Sequence, residues 1–241
     1  YSQSGGVVAL SEPIQKAILA KIHNSKDVHL IPNLSDVSYY ALADVTSRKS
    51  EEFVVSYIGA LGFANGLEYL LECARASRQA SLPVRFVVCG KGAMEETLTL
   101  WAQEHELDNV TFLPFANRES VRELLGKTDA VMVCFKPFPI LQTGAPHKYF
   151  DGLAAGKLIL TNFGGWIKQE VGDAECGIAL ESQNPASFVT SIAPFLSDRK
   201  LLITYQQNAR RLAKDRYSRE RLAQEFIGII ERPAVTTPRA H

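Results

Sequence analysis

An excess of charge of either sign is missing from this 241-residue chain. Lys plus Arg and Asp plus Glu stand at 26 each, so the overall balance gives no sign of a nucleic-acid partner. Apolar runs long enough to cross a bilayer are missing too, and the N-terminus lacks the charged-then-apolar layout of a signal peptide. The expected location is cytoplasmic, with any membrane attachment peripheral, at the inner face. Cysteine is sparse: Cys73, Cys89, Cys134 and Cys176 stand far apart, without a C-x-x-C pair or a histidine at metal-ligand spacing. That argues against a disulfide framework and a metal site. The apolar runs LLECA, FVVCG and VMVCF around three of them point to reduced packing residues. Catalytic signatures are absent as well: no G-x-S-x-G elbow, no G-x-x-x-x-G-K-[ST] loop and no G-x-G-x-x-G fingerprint. The histidines, His23, His29, His105, His147 and His241, are isolated from one another.

What remains is an ordinary globular composition, 46% hydrophobic and 22% charged, arranged in a regular alternation. VVAL (7–10) reads as a short strand, and Ser11 as the N-cap of a helix with Pro13 in its first turn. VHLIPNLSD (28–36) is a second apolar run, and 36–52 reads as a loop. From Phe53 onward, strand-like runs (FVVSYI, VRFVVC, VTFLPF, AVMVCF, KLILTNF, GIALE) alternate with helical ones. The tail 231–241 reads as disordered. This alternation predicts an α/β fold, a doubly wound, mostly parallel sheet with helices on both faces. Its ligand site should lie outside the carboxyl ends of the strands.

The stretch Gln142–Ile159, QTGAPHKYFDGLAAGKLI, organises the rest. Gly144 and Pro146 break the chain, a helix begins near Pro146, and Gly156 stops it before a buried strand. Tyr149, Phe150, Leu153 and Ala154 share one face. The free N-terminus, with His147 and Lys148 beside it, suits an anion such as a diphosphate. Asp151, one turn on, could accept hydrogen bonds from ribose hydroxyls. An ordinary packing helix whose Lys148 and Asp151 are merely solvated fits the same residues, as does a Lys148–Asp151 pair at i, i+3 spacing. Two further turns fall on the same sheet edge: Gly59 to Gly62, and Gly90-Lys91-Gly92, where Lys91 adds a charge between glycines.

Taken in order, VVALSEPIQKAIL, VHLIPNLSD, VVSYIGALGFANGLEYLLECA, VRFVVCGKGAMEETL, VTFLPF, DAVMVCFKP and APHKYFDGLAAGKLILTN resemble the C-terminal half of a family-4 retaining glycosyltransferase. The likeness is to the bacterial surface-polysaccharide branch of these enzymes, whose GT-B fold has two Rossmann-like domains. It implies that the substrate is a nucleotide-diphosphate sugar, uridine-linked, with no cofactor and no metal; the lack of a D-x-D stretch agrees. By this resemblance Asp151 holds the ribose, and Gly144, Ala145, Pro146, His147 and Lys148 bind the diphosphate. Gln142 or Thr143 faces the sugar, Leu113 to Phe115 hold the base through backbone groups, and Gly59, Gly62 and Gly90 line the cleft. Glu170 is a weaker candidate. Attack from the front face, with the leaving phosphate taking the acceptor's proton, would need no protein nucleophile.

The departures concern charge. The family's arginine and lysine beside the diphosphate are replaced by Ala60 and Asn65, and the first acid of its glutamate pair by Gln142 or Thr143. Lys148 and Lys91 are therefore the expected catalytic cations. The resemblance divides the chain into 1–35, the terminal strand and helix of a truncated N-terminal acceptor domain with the linker; the 36–52 loop; a donor-binding domain at 53–230; and the tail. The C-terminal helix near 217–230 would cross back onto the N-terminal half. A glycan or lipid-linked acceptor would bind through that half, and this chain alone is expected to be inactive. Two alternatives stand beside a transferase: a nucleotide-sugar epimerase of the same fold, for which no acid-base pair of carboxylates is found in the three turns, and a non-catalytic nucleotide-sugar-binding subunit, which the missing cations favour.

Overall fold

Ser11 precedes Glu12-Pro13, and its hydroxyl accepts the Ile14 N–H, capping the first helix as its position predicts. The computed structural model describes residues 6–22, 28–40 and 52–231. Strand β1 (Val7–Ala9), helix α1 (Glu12–Leu19) and strand β2 (Val28–Leu30) form a small lobe. The two strands pair in parallel, and Ala9, Ile18 and Val28 make the lobe's core. His23, His241, loop residues 41–51 and the tail from 232 lie outside the described residues.

The start of the expected 36–52 loop is docked against the main domain. Ser35 donates to the Phe150 carbonyl, Tyr40 is 3% exposed, and Asp36 accepts from Arg118 and Arg219. Burial pushes the Asp36 carboxyl up, but the Arg118 guanidinium, the Tyr39 N–H and the Ser38 hydroxyl outweigh it and hold the carboxyl below its ordinary value.

Six strands make the main sheet: β3 (Phe53–Ile58), β4 (Val84–Cys89), β5 (Val110–Leu113), β6 (Ala130–Val133), β7 (Leu158–Thr161) and β8 (Gly177–Ala179). They are all parallel, in the order β5-β4-β3-β6-β7-β8. Between them run α2 (Glu68–Gln79), α3 (Glu95–Glu104), α4 (Arg118–Gly126), α5 (His147–Ala154) and α6 (Trp166–Asp173), and then α7 (Ser187–Ser197), α8 (Arg199–Tyr217) and α9 (Arg219–Ile230).

Period-two alternation along the strands feeds two cores. Val55, Tyr57, Phe86, Val88, Met132 and Leu160 pack with Leu70, Leu71, Phe188 and Ile192 on one face. Val131, Val133 and Ile159 pack with Tyr149, Phe150, Leu153 and Ile167 on the other. Helices therefore cover both faces of a doubly wound sheet. Strand order reverses between β3 and β6, which opens a crevice at the carboxyl edge.

All four cysteines are free and buried. No helix among the described residues is long and apolar enough to cross a membrane. Phe226, Ile227 and Ile230 of α9 are exposed along one stripe.

The turns after β3 and β4 continue the strand pairing past the strand ends. Gly59 N–H donates to the Cys89 carbonyl at 3.0 Å, and Leu61 N–H to the Lys91 carbonyl at 2.9 Å. Gly90 sits at φ +154°, and a Cβ built there would lie 1.9 Å from the Gly59 carbonyl oxygen. Backbone meets backbone at that point, so nothing flexible can yield. Gly90→Ala is expected to destabilise the fold by about 2 kcal/mol or more. Urea unfolding followed by circular dichroism measures it; a change under ~0.5 kcal/mol, the scale of a neutral surface substitution, would mean that the turns separate freely.

Candidate functional site

The crevice between β3 and β6 is bordered by the Gly59 turn, the Gly90 turn and the loop that follows β6. Lys136 N–H in that loop donates to the Ala64 carbonyl at 2.9 Å, joining it to the short 3-10 turn Phe63–Asn65. A second 3-10 turn, Pro139–Thr143, leads into Gly144, Ala145 and Pro146. Pro146 is extended at φ −71° and ψ 133° and serves as the N-cap position, so α5 starts at His147.

Lys148 leaves the first turn of α5 and crosses the sheet edge. Its Nζ donates to the Tyr57 hydroxyl at 3.0 Å and to Asn65 Oδ1 at 3.3 Å. The ammonium also lies 4.3 Å from the centre of the Tyr57 ring, a cation-π distance. Gly59 makes this path open: it sits at φ +148°, and a Cβ there would come within 3.1 Å of Lys148 Cε. Burial lowers the Lys148 pKa from its ordinary value. The Tyr57 hydroxyl in turn donates to the Ala60 carbonyl at 2.7 Å, and Asn65 Nδ2 to the same oxygen at 3.0 Å. A half-buried cation is thus held at the switch point by two neutral groups, with no carboxylate among these contacts. Lys148 is directed away from Asp151, which rules out the intrahelical pair as its resting arrangement.

Asp151 sits on another side of α5. Burial raises the pKa of its carboxyl above the ordinary value, against the influence of nearby His147, Tyr40 and Arg118. Arg118 itself is laid over the Tyr39 ring at 3.8 Å. The four side chains come from the docked linker, α4 and α5, next to the end of β5. There Leu113 and Phe115 are exposed, and the Leu113 carbonyl accepts the Gly90 N–H at 3.2 Å. Lys91 lies 5.2 Å from the centre of the Phe115 ring, on the rim of the crevice.

The turn that leads into α5 is held from outside. The carbonyls of Thr143, Gly144 and Ala145 accept, respectively, the Ser11 hydroxyl, the Trp166 Nε1–H and the Asn33 Nδ2–H. The Thr143 hydroxyl donates back to the Ile140 carbonyl at 2.7 Å. Gln142 packs against Gly164 and Gly165, so close that a Cβ on Gly165 would stand 2.6 Å from the Gln142 carbonyl oxygen. Gly62 opens the 3-10 turn that carries Asn65.

Comparison with known proteins gives this arrangement a family. The model of the family described as Glycosyl transferases group 1 matches residues 19–212, most of the chain. The chain belongs to this family. Its sheet is the Rossmann-like half of a GT-B fold. A glycosyl transferase of Escherichia coli K12 named for colanic acid biosynthesis, WcaI, is 25% identical over 236 residues, 92% of this chain and 54% of its own. The chain spans about half the length of the curated relatives it matches. Among solved structures, TarM of S. aureus, crystallised with fondaparinux, alpha-GlcNAc-glycerol and UDP, superposes with a TM-score of 0.78 at 15% identity, over 95% of this chain and 44% of its own. Anabaena HepE, in complex with UDP and glucose, gives 0.73 at 19% identity, over 95% and 64%.

Within this group 1 domain, several residues that build the crevice carried no signal in the sequence. Tyr57 sits in an apolar strand run and reads as core; only the fold shows its hydroxyl emerging at the sheet edge. Tyr40, Ser11 and Asn33 precede the domain and reach it through tertiary contact. Glu170, a weaker candidate, has a structural role: it accepts from the Tyr149 and Tyr217 hydroxyls and from Arg216 Nη1. That buried carboxylate ties α6 to α5 and to the end of α8.

Proposed function

We propose that this chain is the donor-binding part of a retaining, metal-independent glycosyltransferase that uses a uridine diphosphate sugar in making a surface polysaccharide. The observation that carries the reading is the Lys148 ammonium, held at the topological switch point against Asn65. The family's lysine would stand at position 65 itself, so the charge is supplied here from the opposite side of the crevice.

Lys148 neutralises the leaving diphosphate, and Lys91 adds charge at the rim. Asp151 accepts the ribose hydroxyls, and the backbone from Leu113 to Phe115 receives the base. The acceptor oxygen attacks the anomeric carbon on the face from which the diphosphate departs, and its proton passes to the released phosphate. A glycan or lipid-linked acceptor would be presented by a further domain, with the β1-α1-β2 lobe belonging to that side. The colanic acid name of the Escherichia coli relative, the alpha-GlcNAc-glycerol and UDP in TarM, and the UDP and glucose in HepE support the substrate class.

Calorimetric titration of the chain with uridine diphosphate, beside uridine and adenosine diphosphate, tests the reading. Tight binding of uridine diphosphate alone is expected; equal affinities, or none, would overturn it. The pH dependence tests Asp151 separately. Its raised pKa means that protonation, and loss of ribose hydrogen bonding, begins at a higher pH than for an ordinary aspartate. Affinity is expected to fall as pH drops through that value, and Asp151→Asn to lack this limb while binding more weakly at neutral pH. Dividing wild-type affinity by the variant's at each pH removes the ligand's own phosphate titration near pH ~6.

A further inference from the structure

The chain leaves the 3-10 turn at Thr143 and reaches α5 through Gly144, which is extended at φ −67° and ψ 163°. The Gly144 N–H donates back to the Leu141 carbonyl at 3.3 Å, while the carbonyls of this turn are held by side chains. Three successive carbonyls accept from three separate elements: Thr143 from Ser11 Oγ at 2.5 Å, Gly144 from Trp166 Nε1 at 2.9 Å, and Ala145 from Asn33 Nδ2 at 2.6 Å. Trp166 opens α6 and belongs to the main domain. Ser11 caps α1 of the small lobe, and Asn33 stands in the segment that follows β2. Ser11 is 3% exposed and uses both capacities of its hydroxyl, accepting the Ile14 N–H while donating to Thr143. Two of the three anchors therefore come from outside the domain that carries the crevice.

We propose that Ser11 and Asn33 are positioning residues for the donor: they hold the 143–145 turn in its diphosphate-receiving shape and couple the small lobe to the donor site. This rests on the reading that the turn and Lys148 receive the diphosphate. A turn held by three side chains is preorganised, so little ordering cost falls on ligand binding. Losing an anchor leaves a carbonyl unpaired and the turn free to move, and displacing the lobe would remove two anchors at once. Donor affinity then depends on where the lobe stands.

The test is calorimetry on the full chain with uridine diphosphate and with uridine, together with thermal unfolding. Ser11→Ala and Asn33→Asp are each expected to weaken uridine diphosphate binding about tenfold and to leave uridine binding unchanged. Asn33→Asp keeps the size of the side chain but aims a carboxylate at the carbonyl. Ser11→Thr keeps donor and acceptor and is expected to restore wild-type affinity. Uridine diphosphate affinity within about twofold of wild type in both variants, with Lys148→Ala still severely impaired, would overturn the proposal and leave the donor site standing. Equal losses for both ligands would overturn it as well, because a general loosening of the fold, and not the turn, would then be responsible. If Lys148→Ala also binds normally, the donor-site reading falls and this proposal falls with it.

Discussion

Lys148→Ala is expected to weaken uridine diphosphate binding by about 100-fold, roughly 3 kcal/mol, while uridine binding changes little. The expected loss is large because Lys148 holds the position of a charge that the sequence otherwise lacks. By the resemblance, the family carries cations at the positions of Ala60 and Asn65, and the ammonium against Asn65 would supply that charge here. It is half-buried and bonded to Tyr57 and Asn65, so it is already oriented and partly dehydrated before ligand arrives. Lys148→Arg is not expected to rescue binding, because a planar guanidinium does not reproduce the compact ammonium that Tyr57 and Asn65 hold.

The pH dependence has a definite sign. Burial lowers the Lys148 pKa, so the ammonium loses its proton, and the site its affinity, at lower pH than a surface lysine would require. The same shift bears on stability. A base whose folded pKa is depressed favours its neutral form in the native state. Its charged form therefore costs stability below the folded pKa, and the cost is relieved as pH rises through that value. Lys148→Met is accordingly expected to raise the melting temperature at neutral pH while abolishing diphosphate binding, the signature of a charge kept for binding at the expense of the fold. Wild-type affinity in the methionine variant would remove Lys148 from the site.

Glu170→Ala is expected to destabilise the fold by about 3–5 kcal/mol, the largest effect among the substitutions considered. The carboxylate receives the Tyr217 hydroxyl at 2.7 Å, Arg216 Nη1 at 2.6 Å, and the Tyr149 hydroxyl. Tyr149 is fully buried and Tyr217 nearly so, so removing the acceptor strands two phenols away from water, each costing ~1–3 kcal/mol. Arg216 is about half exposed and can turn outward, so Arg216→Ala should cost far less. Chemical unfolding of the two variants separates these terms. Losses of equal size would mean that the ion pair, and not the tyrosine hydrogen bonds, dominates; a loss under ~1 kcal/mol for Glu170→Ala would mean that water replaces the carboxylate. Tyr149 neighbours Lys148 on α5, so weaker uridine diphosphate binding should accompany the loss of stability.

Much of the scaffold was legible because it depends on local patterning. Alternating apolar strands and helical stripes placed each of the six main strands, and Gly156 correctly marked the end of α5. A reading of Lys148 beside Asp151 could not be settled in the same way, since spacing alone allows either a pair on one helix face or two separate roles. Tertiary structure decided it: Lys148 finds Tyr57, 91 positions away, and Asp151 finds Tyr40 on the docked linker. Gly90 shows a second limit. Its sequence context fits a phosphate turn, but its backbone is closely packed against the neighbouring Gly59 turn.

By itself, the sequence determined the α/β class, the glycine turns at the carboxyl edge of the sheet, and the helix that opens onto that edge, because periodicity, caps and glycine breaks are encoded over a few neighbouring residues. Only the tertiary structure decided which way Lys148 points, that Glu170 is a structural tie, and that Ser11 reaches Thr143 across 132 positions. Hydrogen bonds and charge placement depend on distances set by the packing of the whole domain, and no local pattern carries those distances.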